Sequence, residues 1–108
     1  MSDHLLVVLT NPMPGKEDAY NDWYSNIHIK EIVQIPGFKS AQRFKLADAQ
    51  MGEPGPHQYL AIYEMDGDVG PAVEALVKAR LDLTQTEAMN RSNLLSQVFS
   101  AITDKVTA

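Results

Sequence analysis

A chain of 108 residues with 44% hydrophobic and 21% charged side chains makes one domain, spanning 1–108, with a modest core, and it does not have the composition of a disordered chain. Fourteen acidic and nine basic side chains leave a formal charge of -5. The basic residues are scattered, so neither a nucleic-acid footprint nor attraction to an anionic membrane is expected. With no cysteine there is no disulfide framework, thiolate nucleophile or thiolate metal site. No apolar run reaches the roughly 18 residues of a membrane span. The start, MSDHLLVVLTNP, does not read as a signal peptide, so the cytoplasm is the expected compartment.

The first element is expected over His4 to Thr10, where Leu5 to Leu9 run apolar without alternation, as in a strand covered on both faces. A buried helical turn is the competing reading. Asn11-Pro12-Met13-Pro14-Gly15 stops it. A helix then begins near Lys16, with Glu17 and Asp18 in the first turn, where negative charge complements free N–H groups. Tyr20, Trp23, Tyr24 and Ile27 make its apolar stripe, and His28 stands at the edge of that stripe where the helix is ending. Ile29, Ile32, Val33 and Ile35 continue the apolar signal, and Pro36-Gly37 closes it.

Phe38 to Leu46 alternates with period two, placing Phe38, Ser40, Gln42, Phe44 and Leu46 on one face and Lys39, Ala41, Arg43 and Lys45 on the other. A turn-rich connection comes next, over Ala47 to Pro56. His57 to Met65 is the antiparallel partner strand, with His57, Tyr59, Ala61, Tyr63 and Met65 opposite Gln58, Leu60, Ile62 and Glu64. The second helix starts at Asp68, or at Gly70 with Pro71 in first position, and buries Val69, Ala72, Val73, Leu76 and Val77. Leu81 to Asn93 reads as a broken helix or a loop, and Leu94 to Val106 as a last strand. The order β-α-β-β-α-β predicts an α+β, ferredoxin-like domain: a four-stranded antiparallel sheet with both helices on one face. The other face would then expose an apolar patch of several hundred Å², which a second copy of the chain could bury at ~25 cal/mol per Å².

Asp22-Trp23-Tyr24 followed by His28, then Ile35-Pro36-Gly37-Phe38, Arg43-Phe44 and Tyr59-Leu60-Ala61-Ile62-Tyr63-Glu64, resembles the pattern of EthD-like proteins. These belong to the dimeric α/β-barrel superfamily, with antibiotic-biosynthesis monooxygenases, aromatic polyketide cyclases and muconolactone isomerases. The likeness covers the first half of the chain well and the last third only in element order. It implies a homodimer and a small-molecule pocket lined by the histidine at position 28, without a cofactor.

His28 is the candidate acid/base, because imidazole titrates near neutrality and a placed histidine contributes typically ~10²–10⁴-fold. The plain alternative is a helix-end histidine favoured by the dipole. Trp23 is first a packing residue, and Tyr24 and Tyr63 offer hydroxyls to a pocket. Arg43 binds a substrate carboxylate or phenolate, or pairs with Glu64 across the hairpin. Asn11 either stabilises an enolate oxygen or simply forms the turn before Pro12. The three histidines show no metal-ligand spacing, and phosphate-loop and nucleophile-elbow motifs are missing. The expectation is a cofactor-independent cyclase, isomerase, dehydratase or monooxygenase acting on a small aromatic or polyketide-like compound. A haem-binding protein and a non-catalytic, stress-related binding module are the alternatives.

Overall fold

The computed structural model describes residues 3–108. Strand β1 (His4–Thr10) leads into a helical stretch made of α1 (Glu17–Trp23), a π-helical turn (Tyr24–His28) and α2 (Ile29–Ile32). Strands β2 (Phe38–Lys45) and β3 (Tyr59–Met65), helix α3 (Val69–Ala79) and strand β4 (Leu95–Ser100) complete the order. The four strands form one antiparallel sheet in the order β2-β3-β1-β4. This is the ferredoxin-like α+β arrangement, with the helices on one face.

Register explains how the sequence divides between the two faces. Leu6, Val8 and Thr10 of β1 lie opposite Tyr63, Ala61 and Tyr59 of β3. These residues, with Met65, point to the helices. Leu5, Val7 and Leu9 pair with Glu64, Ile62 and Leu60 and point the other way. The unbroken apolar run of β1 therefore reflects a central strand with something apolar to do on both sides. Both helices feed the core: Tyr20, Trp23, Tyr24, Ile32 and Ala72 are buried in one cluster with Phe38, Tyr63 and Met65.

Several details differ from the pattern read off the sequence. A bulge between Phe38 and Ser40 shifts the register of β2 on β3. Phe38 consequently faces the helices together with Ala41 and Arg43, while Ser40, Gln42 and Phe44 lie on the open face. Arg43 is opposite Ala61, and Glu64 is opposite Ser40, whose hydroxyl donates to Glu64 at 2.7 Å. Arg43 and Glu64 thus occupy opposite faces, and the cross-strand pair between them does not form. The strands are also shorter than expected: β2 ends at Lys45, β3 starts at Tyr59, and β4 stops at Ser100. Val77 is half-exposed rather than buried. Asp68, not Gly70, takes the cap position of α3.

Residues 81–93 form no helix. Ala88 and Met89 are buried, and the segment pairs with the chain just after β1 through Met13 N–H to the Ala88 carbonyl (2.6 Å) and Asn90 N–H to the Asn11 carbonyl (2.9 Å). Gly37 makes the turn into β2 with φ of +98°, and a Cβ there would lie 2.5 Å from the Ala72 Cβ. Glycine is required twice over at this position, for its backbone angle and for the close approach of α3.

Candidate functional site

The residues with chemistry gather on the helix face, around the π turn. Tyr20, Trp23 and Tyr24 fall at helical spacing and are buried there, as their pattern predicts. At Tyr24 the helix widens: the Ile29 N–H reaches back five residues to the Tyr24 carbonyl. The added residue in this turn changes the direction in which Ile27 and His28 point. Ile27, expected on the buried stripe, is 38% exposed. His28 swings inward, stacks on the Trp23 ring (4.4 Å between centroids, 21° between planes) and meets the Tyr24 ring edge-on at 5.1 Å. The helix continues to Ile32, so His28 is not at a helix end and the dipole account of it fails.

Arg43 reaches the same place from the sheet. Its guanidinium carbon lies 4.4 Å from the Tyr24 ring centroid and 5.2 Å from those of Tyr20 and Tyr59. Nη1 donates to Ser25 Oγ at 2.7 Å and Nη2 to Asn21 Oδ1 at 3.0 Å. Asn21 donates in turn to the Tyr59 hydroxyl at 3.1 Å, and that hydroxyl donates to a Glu17 carboxylate oxygen. Thr10 and Tyr20 hydroxyls are hydrogen-bonded to one another in full burial. Asn21 and Ser25 are one helical turn apart, so they present their polar ends to the same guanidinium.

Burial sets the protonation states. Desolvation lowers the His28 pKa to about 4, with Glu31 opposing and Arg91 and Arg43 assisting, so the imidazole is neutral at pH 7. Desolvation also raises the Tyr24 phenol to about 12 and pushes Tyr63 and Tyr20 upward, so all three keep their protons. Three of the buried polar atoms here have no hydrogen-bond partner: His28 Nδ1, Arg43 Nε and the Tyr63 hydroxyl. Tyr63 and Tyr24 influence each other's ionisation, but their hydroxyls do not meet hydrogen-bond geometry. His28, Arg43 and Tyr63 come from three different elements and all border Tyr24. Buried polar groups are ordinarily paired, and these three unpaired atoms surround one ring.

Trp23 does two things at once. It packs in the core, and its indole N–H donates to the Thr84 carbonyl at 2.9 Å, while Glu31 accepts from the Thr84 N–H and hydroxyl, each at 3.0 Å. The segment at 81–93 is thereby tied across the π turn. Asn11 is engaged elsewhere: Nδ2 donates to the Pro56 carbonyl at 2.9 Å and Oδ1 accepts from the Gln58 N–H at 2.7 Å. Its side chain thus holds the β2–β3 connection, rather than the turn before Pro12 in which it sits. His4 and His57 are tied to Ser100 and to the Asn93 carbonyl. No group of three potential metal ligands occurs among the described residues. Nor is any helix among them long and apolar enough to cross a membrane.

Two concave regions lie away from this cluster. One, of about 510 Å³, is formed by Lys45 to Pro54 and Gln58 beside the β2–β3 connection. The other, of about 720 Å³, runs over the open face of the sheet between Phe44, Ile62, Phe99, Ala101 and Thr103 to Lys105. His28 lines neither. Sequence reasoning missed Asn21, Ser25 and Tyr59 as members of the cluster. The period-two spacing of Tyr59, Ala61 and Tyr63 carried the signal for Tyr59, since Arg43 shares that face.

No family model matches this sequence, and no curated protein does. Solved structures do share its fold. A Shewanella loihica PV-4 protein proposed to be a monooxygenase superimposes with a TM-score of 0.57 at 18% identity, over 95% of this chain and 98% of that one. HapK from Hahella chejuensis gives 0.58 at 10% identity, over 97% and 99%. An EthD-like protein from Ralstonia eutropha JMP134 gives 0.57 at 11%, over 97% of each chain. At these identities the likeness establishes a common fold, the one that the sequence resemblance implies.

Proposed function

We propose that the chain is an EthD-like protein that acts without a cofactor on a small aromatic or polyketide-like molecule, with His28 as the proton-transferring group. The observation that carries this reading is the convergence of three partnerless buried polar atoms, His28 Nδ1, Arg43 Nε and the Tyr63 hydroxyl, around Tyr24. A neutral imidazole at pH 7 is free to accept a proton. In this reading Arg43 and Tyr63 hold the oxygen on which charge then develops, and Trp23 and Tyr24 form the aromatic walls. Such a site suits cyclisation, isomerisation, dehydration or direct oxygenation of an enolisable phenol. Asn11 has no part in it.

The test is turnover of a panel of enolisable polycyclic phenols, monitored by oxygen uptake and by product mass. His28→Ala should abolish turnover in a protein that still folds. Turnover that survives the substitution removes the catalytic role, and binding without turnover points to a non-catalytic module. The same reading includes a homodimer joined through the open sheet face, where Leu5, Ile62, Phe44 and Phe99 lie uncovered by any helix. Light scattering that gives the mass of a single chain at micromolar concentration would remove it.

A further inference from the structure

We propose that the ligand of this site binds as an anion, a planar phenolate, enolate or carboxylate whose charge rests on Arg43, so that the site selects among small aromatic molecules by charge. This rests on the reading that the tyrosine-lined cluster takes a small molecule, and it names the class of that molecule.

The argument begins with a missing counter-ion. The chain holds more acids than bases, 14 against nine, yet Arg43 forms no ion pair among the described residues; the pair seen there joins Lys78 to Glu74 on the surface. Instead its two terminal nitrogens are held by neutral acceptors, Ser25 Oγ and Asn21 Oδ1. The acid of the network, Glu17, is engaged by the Tyr59 hydroxyl, and Asn21 stands between that pair and Arg43. Three tyrosine rings present themselves to the guanidinium within 4.4–5.2 Å. Ring faces orient a cation and stabilise it, but they do not neutralise it. The positive charge is therefore pre-oriented and uncompensated.

The orphaned atoms point the same way. Arg43 Nε–H is only ever a donor, and it is buried without an acceptor. Tyr63 is 1% exposed, keeps its proton, and its hydroxyl likewise has no acceptor within hydrogen-bond geometry. Two unused donors beside an unpaired cation call for an acceptor-rich partner carrying negative charge. His28 does not compete for it, being neutral, and its ring stacks on Trp23 and meets Tyr24 edge-on beside the guanidinium. A guanidinium with its planar fork of donors matches a delocalised oxygen anion better than a neutral ketone or ether.

The experiment compares two molecules of one shape. 2-Hydroxy-1,4-naphthoquinone is ionised at neutral pH, and its 2-methoxy ether carries no charge. Trp23 is the only tryptophan, so its single indole N–H resonance, next to His28, reports binding without assignment of the rest of the spectrum. The anion should bind roughly 10- to 100-fold more tightly than the ether, the range of a charge-assisted hydrogen bond. Arg43→Gln should erase that preference, and Arg43→Lys should keep part of it. Tyr63→Phe should weaken the anion several-fold in a protein no less stable than the parent, because the lost hydroxyl had no partner. Should Arg43→Gln fail to fold, Asn21→Ala and Ser25→Ala loosen the same guanidinium and should narrow the preference. Equal binding of both compounds, or a preference that survives Arg43→Gln, overturns the anion inference while leaving a small-molecule site standing. If neither compound moves the indole resonance, the cluster holds nothing larger than water, and the inference falls together with the reading beneath it.

Discussion

On one side of the sheet Tyr59, Ala61, Tyr63 and Met65 are closed over by the helices and buried in a cluster that is rich in aromatic rings and also holds Leu6, Ile32, Ala72 and Met89. On the other side Leu60, opposite Phe44, and Ile62 come from the same strand one residue out of phase, and Ile62 lines a groove with Phe44 and with Phe99, which is 55% exposed. The same backbone therefore carries a closed face with polar atoms left unsatisfied and an open face with apolar atoms left uncovered. Each face has an unmet requirement of a different kind. The first suits a polar ligand enclosed by one chain, and the second suits an apolar surface such as another copy of the sheet.

Substitutions on the two faces should consequently fail in different ways. The largest effect is expected at the closed face: Trp23→Ala should lose about 3–5 kcal/mol of stability in denaturant unfolding, since it removes a core ring, the tie to Thr84 and the His28 stack together. A loss below about 1 kcal/mol, within the range of ordinary substitutions, would show that this face is not the stabilising one. Acid should come next. The His28 pKa is about 4 in the folded chain against 6.5 for the free side chain, so the unfolded chain takes up a proton first as pH falls. Above pH 6.5 there is no penalty; as pH falls from there to about 4, about 3 kcal/mol should be lost, and His28→Phe, which keeps a stacking ring, should flatten that slope.

Gly37→Ala should cost about 1–3 kcal/mol, because a Cβ would enter the Ala72 side chain from a backbone angle that L-residues avoid. A wild-type melting curve for that variant would mean that α3 docks less closely than described. The smallest effect on the single chain is expected at the open face. Phe99→Asp should change its unfolding free energy by no more than about 0.5 kcal/mol while shifting the light-scattering mass from two chains to one. A large loss of stability there would erase the distinction between the faces.

Much of the fold was legible because it depends on periodicity and punctuation. Alternation over Tyr59 to Met65, the stripe at Tyr20, Trp23 and Tyr24, and the Pro36-Gly37 stop are local signals, and each is borne out. The bulge after Phe38 was not legible, since a residue inserted into one strand leaves the alternation readable and only changes its phase. The π turn hid in the same way: Tyr24 to His28 looks like ordinary helix, and the extra residue is apparent only in where Ile27 and His28 point. Arg43 was recognisable as a candidate, but Glu64 looked equally suitable as its partner until the register placed them on opposite faces.

The sequence by itself determined the elements, their order and the amphipathic faces that require one sheet backed by two helices, because those depend on the spacing of apolar side chains along the chain. Tertiary structure alone decided that His28 turns inward against Trp23 and that Arg43 stands among tyrosines without a counter-ion. Both outcomes rest on small shifts of phase, one residue in a helix and one in a strand, which only packing between distant segments can select.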